Sequence, residues 1–377
     1  MSFDIEKLEG REPLIDYPWR PEVDRLLLWL QNKDSHIKAF CFDLVMSAAY
    51  VDATSGIEKS IEQCDGITKK YNAHLGFINL CSPCYINKSI WSYQKAVKPQ
   101  SGALGKLSSE VILRFIEKLH PQLVEVLAVG GVEFADAVLK HKNGMVILAE
   151  VKSAPLLTYP FLFNIPKTCL KGNHENAVIT SSQLRACDSA IYLHNGGTID
   201  LGKVGDPMWP FRPLVDFIMN PKNSKFIDGC INDWLVARDA YSTKDRQNKM
   251  YYLANASGHP PIIAKERDGW PQKESISDGK TSAGMDRTDD IKKGIYQSLK
   301  IGTHVKDFPH IKTAIISNLP AYRHGEEYVS PFLSMLWGLE SDLENMSGKK
   351  VLRNDNLRRA FDFLITLEEP VLRGEEL

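Results

Sequence analysis

The feature that most constrains the fold is the dipeptide Asn143-Gly144, which lies between two apolar runs. An Asn-Gly pair in this setting is the strongest short-range signal for a β-hairpin, because both residues tolerate the positive φ of a tight turn. Residues 145–149 are continuously apolar, which is typical of a strand that is buried on both faces. The sequence therefore predicts two antiparallel strands inside a sheet.

Charged side chains stand at the ends of these predicted strands. Glu150 and Lys152 are two residues apart, so they point to the same face of their strand. A two-residue turn would pair Asp136 with Val151 and send the aspartate to the opposite face. A three-residue loop over 142–144, with its glycine in the left-handed conformation, instead pairs the aspartate with Glu150. We predict the three-residue loop.

The paired acids indicate a cation site. Two ionised carboxyl groups a few ångströms apart repel each other unless a positive charge neutralises them. Mg²⁺ takes carboxylate oxygens together with water and phosphate, so Asp136 and Glu150 are predicted Mg²⁺ ligands, with the carbonyl of Val151 as a further candidate. Lys152 can orient or help deprotonate an attacking water and counter phosphate charge. The pattern favours metal-dependent phosphodiester hydrolysis.

The competing interpretation is a partly exposed hairpin with an ordinary cross-strand ion pair. The spacing of an acid two residues before a lysine is unspecific, since it recurs at Asp278/Lys280 in a polar loop and at Asp290/Lys292 in a predicted first helical turn. Only the pair at 150 and 152 lies on a predicted strand with an acid across a hairpin.

Asp136 and the sequence Glu150-Val151-Lys152 resemble the PD-(D/E)XK nuclease superfamily and, within it, the type II restriction endonucleases. The resemblance covers about Gly102–Ser153 and, more loosely, Thr288–Leu336. It implies that the two acids hold Mg²⁺ and that the lysine is catalytic. The chain departs from the family pattern in having Ala135 where the name-giving proline stands.

The resemblance also implies a preceding helix that contributes a glutamate. Apolar residues recur with helical spacing over 107–119, and Pro121 ends the pattern. We expect Glu110 to be this acid, with Glu117 as the second choice. The alternative for Glu110 is a solvated ion pair with Arg114, one turn further along.

By the same resemblance, the chain would cut double-stranded DNA at a specific sequence, as part of a restriction–modification system, by in-line attack that leaves 5′-phosphates. A palindromic site would call for a two-fold homodimer. A structure-selective repair or recombination nuclease is the nearest alternative. A non-catalytic, zinc-stabilised DNA-binding protein is the alternative from another class.

Candidate DNA contacts lie near the start of a predicted helix over 177–187. Ser182, Gln183 and Arg185 have side chains that can address phosphates or base edges there. An ordinary polar helix face is the alternative.

The seven cysteines have irregular spacing, which argues against a disulfide framework and for a reducing compartment. Cys81 and Cys84 form a CxxC motif, and Cys169 with His174 can complete a tetrahedral Zn²⁺ site. Free buried thiols are the default alternative.

Charge and hydropathy set broad limits. The 46 basic and 47 acidic residues nearly cancel, so net charge neither supports nor excludes a nucleic-acid partner. No apolar run approaches the roughly 18 residues of a membrane span, and the N-terminal residues lack the features of a signal peptide. We therefore expect a cytoplasmic, prokaryotic protein that has no membrane partner.

The order of predicted elements favours an α/β fold, with a central mixed sheet flanked by helices; the resemblance makes this a restriction-endonuclease-like core. We expect a mainly helical N-terminal region over 1–100 and a nuclease core over 101–377, with an inserted, partly irregular DNA-contacting region at about 155–288. Besides the elements already named, we expect helices over 16–50, 56–71, 289–301 and 326–339, and strands over 123–129, 189–194, 198–201 and 312–318.

Overall fold

The computed structural model describes residues 11–56, 58–67, 70–130, 135–169, 176–267, 269–277, 283–286 and 288–368. Its α-helices are α1 (Arg20–Leu30), α2 (Ser35–Ala53), α3 (Ser82–Lys88), α4 (Ser101–Leu119), α5 (Ser181–Arg185), α6 (Phe211–Met219), α7 (Ser224–Thr243), α8 (Ile262–Arg267), α9 (Thr288–His304) and α10 (Ser330–Leu333). Its strands are β1 (Arg11–Pro13), β2 (Lys59–Glu62), β3 (Ala73–Leu75), β4 (Leu123–Val129), β5 (Ala137–His141), β6 (Val146–Val151), β7 (Phe161–Phe163), β8 (Asn176–Ile179), β9 (Asp188–Tyr192), β10 (Thr198–Lys203), β11 (Ile311–Ile316), β12 (Leu336–Trp337), β13 (Leu343–Met346), β14 (Lys349–Leu352), β15 (Arg358–Arg359) and β16 (Phe363–Ile365).

The chain forms two compact units, each assembled from separate stretches of sequence. The first unit comprises Met1–Ile15, Ser109–Ala154 and Gly284–Leu377. The second unit comprises Asp16–Ser108 and Pro155–Ala283.

A mixed sheet forms the centre of the first unit, in the strand order β1-β4-β5-β6-β11-β16. The first four strands are antiparallel neighbours, whereas β6, β11 and β16 run parallel. Helix α9 packs on β6 and β11 and buries Ile301 against Val138 and Leu148. Asp289 and Asp290 lie in its first turn, where acids interact favourably with the helix dipole. The expected mixed α/β class is confirmed.

The hairpin of β5 and β6 has the predicted register. Ala137 pairs with Ala149, and the His141 N–H donates to the Met145 carbonyl at 2.9 Å. The loop therefore contains the three residues 142–144, and its glycine has a φ of +86°. The prediction of a three-residue loop is confirmed.

An antiparallel sheet in the order β10-β9-β7-β3-β2-β8 organises the second unit. Within this unit α1 packs against α6, and α2 against α7. Helix α2 is buried along almost its whole length, from Ala39 to Val51. Burial on all sides explains why this segment is apolar without a polar stripe.

A buried carboxyl group ties separate stretches of the second unit together. Asp43 of α2 is fully enclosed and accepts the backbone N–H groups of Leu156 and Leu157 at 3.1 and 2.9 Å. It also accepts the indole N–H of Trp234 on α7 at 2.7 Å. Burial raises the pKa of Asp43 to about 8, although the three donors oppose this shift.

Four predicted helices differ from the observed elements, and the first of these, the segment 16–50, is divided into α1 and α2. The segment 56–71 contains strand β2 where a helix was expected, because pairing with β3 and β8 holds it extended. The segment 177–187 is divided into the end of β8 and the short helix α5. The segment 326–339 begins in a π-helical turn, and its helix ends at Leu333 before β12. Within the described ranges, no helix combines the length and apolarity needed to cross a membrane.

Candidate functional site

Asp136, Glu150 and Lys152, here called the hairpin site, meet at one end of the β5–β6 hairpin. Extension of the register places Asp136 opposite Glu150, since Asp136 donates its backbone N–H to the Ala149 carbonyl at 2.9 Å. The Asp136 side chain is fixed in turn by the Val151 N–H, which donates to Oδ2 at 2.9 Å. The predicted convergence of two acids and one amine is present.

The amine lies among the oxygens that were predicted to bind metal. Lys152 Nζ is 2.6 Å from Glu150 Oε1, 3.2 Å from the Val151 carbonyl oxygen and 3.8 Å from Asp136 Oδ2. The two carboxyl groups are also in hydrogen-bonding contact with each other. The one positive charge of Lys152 therefore lies beside two carboxyl groups.

Burial differs across the hairpin site. The Glu150 side chain is 8% exposed and the Asp136 side chain 44% exposed. Glu150 is covered because β6 lies between β5 and β11. The pKa of Glu150 is raised to about 7, because the effects of burial, the larger cause, and of the Asp136 charge together outweigh the opposing effect of Lys152. The site thus has a buried acid that binds a proton near neutrality and a more exposed acid open to solvent.

Lys152 is held as an ammonium. Burial lowers its pKa, but the charges of Glu150 and Asp136 outweigh burial, and the net shift is upward. Asp290, in the first turn of α9, adds to the upward shift. The sequence alone places Asp290 in a predicted first helical turn, and the packing of α9 on the sheet is not visible in a local pattern.

Glu110, the acid expected from the preceding helix, does not complete a compact group of metal ligands with the hairpin site in the described structure. Among the described residues, no group of three ligands within 4.8 Å of one another contains Glu110 with Asp136 and Glu150. Its buried carboxylate instead accepts the Ile15 N–H at 3.0 Å. Helical spacing predicts the apolar face of α4 but not which partner a polar side chain on that helix reaches.

Glu117, the second choice for the helix acid, forms an ion pair with Arg114 on the same helix. As an alternative role for Glu110, we expected an ion pair with Arg114, one turn further along the helix. The ion pair of Arg114 with Glu117 joins residues that are three positions apart. Such a pair within one helix is a common stabilising contact and carries no catalytic signal.

The candidate DNA-contacting residues lie on the five-residue helix α5. Gln183 forms a capping box with Thr180: its Oε1 accepts the Thr180 N–H at 3.0 Å, and Thr180 Oγ1 accepts the Gln183 N–H at 3.3 Å. Ser182 and Arg185 are exposed. The side-chain oxygen of Gln183 thus has a structural use, while the positions of Ser182 and Arg185 are those of a polar surface.

The predicted zinc ligands are only partly brought together. Cys81 and Cys84 lie with Cys64, and the three sulfurs are within 4.8 Å of one another; we call these three residues the thiol cluster. Cys169 is not in that group and lies near Cys187. His174 lies outside the described residues. The sequence signal for Cys64 was weak, since the residue is 17 positions before the CxxC motif.

Comparison with protein-family models, with curated proteins and with solved structures gave no significant match.

Proposed function

We propose that this chain is a Mg²⁺-dependent endonuclease that hydrolyses double-stranded DNA at specific sequences, as type II restriction enzymes do. The supporting observation is the meeting of Asp136, Glu150 and Lys152 at the end of a central hairpin. An ordinary surface ion pair needs one acid and gains little from burial. Two acids around one amine, with one acid almost fully buried, form a costly arrangement that a divalent cation would relieve.

The donor set fits a hard divalent cation. The Lys152 ammonium already contacts oxygens of Glu150 and Val151 and lies 3.8 Å from Asp136, so positive charge is favoured where these oxygens converge. Two carboxylates and a carbonyl, completed by water and phosphate, match the oxygen preference of Mg²⁺. When bound there, Mg²⁺ supplies charge that polarises a phosphodiester and makes water more acidic.

The residues of the chain have distinct tasks in this proposal. Asp136 is half-exposed and fixed by the Val151 N–H, so it presents an oriented oxygen to the solvent side. Glu150 gives up its proton when a cation is held. Lys152 donates hydrogen bonds to the phosphate or the attacking water. Burial alone lowers the pKa of Lys152, and this influence dominates once the two carboxylates are neutralised, which favours proton acceptance from water.

Cleavage of methylation-free plasmid DNA tests the proposal. The native chain is expected to produce discrete bands with Mg²⁺ and none with a chelator. Lys152→Ala is expected to lose this activity, and Lys140→Ala is the matched control, because Lys140 pairs with Glu125 on the neighbouring strand, away from the hairpin site. An absence of Mg²⁺-dependent cutting of any DNA would argue for a non-catalytic binding protein.

The form of the DNA separates the two nuclease hypotheses. Discrete fragments that persist over a range of enzyme concentrations support a sequence-specific enzyme. Cutting confined to branched or damaged DNA supports a repair or recombination nuclease. The same proposal includes a homodimer bound to a palindromic site. Sedimentation of the protein together with DNA that carries the sequence it cleaves tests for this dimer.

A further inference from the structure

The thiol cluster lies in the second unit and has no part in the proposed nuclease chemistry. We infer that Cys64, Cys81 and Cys84, together with His74, bind one structural Zn²⁺ ion through three thiolates and the histidine Nε2. Three cysteine ligands and one histidine are a common set for structural zinc. This set differs from the one predicted from sequence, because it contains Cys64 and His74 in place of Cys169 and His174.

The sulfur spacing is close to that of a zinc site. Cys81 Sγ lies 3.5 Å from Cys64 Sγ, and all three sulfurs lie within 4.8 Å of one another. Zinc–sulfur bonds of about 2.3 Å in a tetrahedron place sulfurs about 3.8 Å apart. The side chains therefore need only small adjustments to surround an ion.

The backbone that carries the thiols is tightly held. Cys81 precedes α3 and Cys84 lies in its first turn, while Cys64 is followed closely by Gly66. A Cβ at Gly66 would lie 2.4 Å from the Cys84 backbone nitrogen, so only glycine permits this approach. The Gly66 carbonyl accepts the Asn87 amide at 2.6 Å, which fixes the loop between Cys64 and α3.

His74 is oriented as a ligand. It is fully buried on β3, and its Nδ1 lies 3.0 Å from the Glu62 carbonyl oxygen on the paired strand. Because a carbonyl only accepts, Nδ1 donates a proton to it, so zinc binding uses the neutral ring with Nε2 as the ligand atom. This is the usual arrangement of a zinc-binding histidine, in which the second nitrogen donates to a backbone carbonyl.

The second ring nitrogen of His74 lies beside the cluster and contacts Gln94. Nε2 lies 3.5 Å from Cys81 Sγ and 2.5 Å from Gln94 Oε1. It is not within 4.8 Å of all three sulfurs, so zinc binding requires the ring to turn from Gln94 towards the ion. Four protein ligands leave no open position, which makes the site structural and not catalytic.

Metal analysis of the full chain, purified in a reducing buffer, tests the inference. We expect one zinc per chain. After Co²⁺ replaces zinc, we expect the charge-transfer bands of cobalt thiolates and the visible bands of a tetrahedral site. Cys81→Ser is expected to lose the metal, whereas the matched control Cys169→Ser is expected to keep it. A chain that holds no zinc and develops no cobalt–thiolate bands overturns the inference, as does loss of zinc in Cys169→Ser.

His74→Gln tests the fourth ligand separately. It is expected to keep the charge-transfer bands of cobalt while the visible bands shift, because a ligand nitrogen has been replaced. Unchanged visible bands would remove His74 from the ligand set.

Alkylation of the native chain provides a test that needs no variant to fold. Zinc is expected to protect Cys64, Cys81 and Cys84 from a thiol reagent until a chelator is added, whereas the half-buried Cys169 reacts equally with and without the chelator. Equal reactivity of the three thiols in both conditions, or a disulfide between Cys64 and Cys81, contradicts zinc binding.

Discussion

Glu150 of the first unit and Asp43 of the second unit are both buried carboxyl groups, and burial raises the pKa of Glu150 to about 7 and of Asp43 to about 8. Their surroundings differ in charge. Asp43 accepts three N–H groups that carry no formal charge. Glu150 contacts the ammonium of Lys152 and the carboxyl group of Asp136.

The comparison shows that a raised pKa does not by itself identify a reactive site. Strongly shifted groups concentrate in active sites, but structural networks shift them as well. Asp43 is enclosed, and its donors bridge separate stretches of the chain, so its role is to hold the second unit together. Glu150 adjoins Asp136, whose side chain is 44% exposed, so the acid pair is accessible to a ligand from solvent.

The largest expected effect is on stability at Asp43. Asp43→Ala leaves the N–H groups of Leu156, Leu157 and Trp234 without their acceptor, so we expect the second unit to lose about 3–5 kcal/mol of unfolding free energy. Denaturant unfolding followed by tryptophan fluorescence measures the loss. Asp43→Asn keeps one acceptor oxygen and should lose less. A loss below about 1 kcal/mol in the alanine variant would show that the network is not structural.

The next effect is on catalysis at Asp136. Asp136→Asn keeps an oxygen for the Val151 N–H but removes the charge, so we expect kcat/KM for DNA cleavage to fall about 100- to 1,000-fold with little change in unfolding free energy. Initial rates of plasmid cleavage and denaturant unfolding of the same sample measure the two quantities. A native rate in this variant would falsify the assignment of Asp136 as a ligand.

The site could be predicted from sequence as far as its geometry is local. The parity of the loop at 142–144 decided which face Asp136 occupies, and parity can be counted from the sequence. The contact of Glu110 could not be predicted, because its carboxylate accepts the N–H of Ile15, which is 95 residues away in the sequence. Asp290 was missed for the same kind of reason, since its proximity to Lys152 comes from the packing of α9 on the sheet.

The fold shows the same limit. Strands β4, β5, β6 and β11 were predicted, because apolar residues dominate them and a glycine, proline or asparagine lies close to an end of each. Strand β2 was mistaken for a helix, since Ile61 is its one apolar residue and pairing with distant strands determines its conformation. No local pattern indicates that Asp16–Ser108 packs with Pro155–Ala283 in one unit. The joining contacts, such as Asp43 with Leu157, span more than a hundred residues.

The acid pair also predicts how Mg²⁺ affinity depends on pH. Glu150 has a pKa of about 7, so below pH 7 it must release a proton when the metal binds. We expect the Mg²⁺ affinity to fall by up to about tenfold for each pH unit below 7. Calorimetry in two buffers of different ionisation enthalpy counts the released proton. Glu150→Gln should bind Mg²⁺ more weakly, and its Mg²⁺ affinity should not depend on pH near pH 7. An equally steep pH dependence in this variant would mean that another group releases the proton.

The raised pKa of Glu150 also determines in which direction the stability of the fold changes with pH. The folded pKa of Glu150, about 7, is above its ordinary value of 4.5. The contribution of the protonated group is therefore fully present below pH 4.5 and is lost as the pH rises through 7. Without metal, the native chain should lose stability relative to Glu150→Gln over this interval, and added Mg²⁺ should reverse the loss. Denaturant unfolding at several pH values measures the difference.

The smallest expected effect concerns the loop that sets the register. Gly144 has a φ of +86°, and no atom lies within 4 Å of a Cβ placed there, so Gly144→Ala costs only backbone strain, about 1 kcal/mol. Gly294→Ala is the control in the same unit. Gly294 lies inside α9, and its added Cβ makes ordinary contact with Ile315. We expect this change to stabilise by about 0.5–1 kcal/mol.

Cleavage by the two glycine variants then separates stability from register. A three-residue loop that survives in Gly144→Ala keeps Asp136 opposite Glu150, so cleavage at a temperature well below unfolding should match the native rate. If the loop instead closed with two residues, every side chain of β5 would turn to the other face, and the acid pair would be lost. A Gly144→Ala variant that unfolds with native cooperativity but no longer cleaves DNA, beside a Gly294→Ala variant that still cleaves, would contradict this expectation. It would show that the loop glycine alone keeps the two acids on one face.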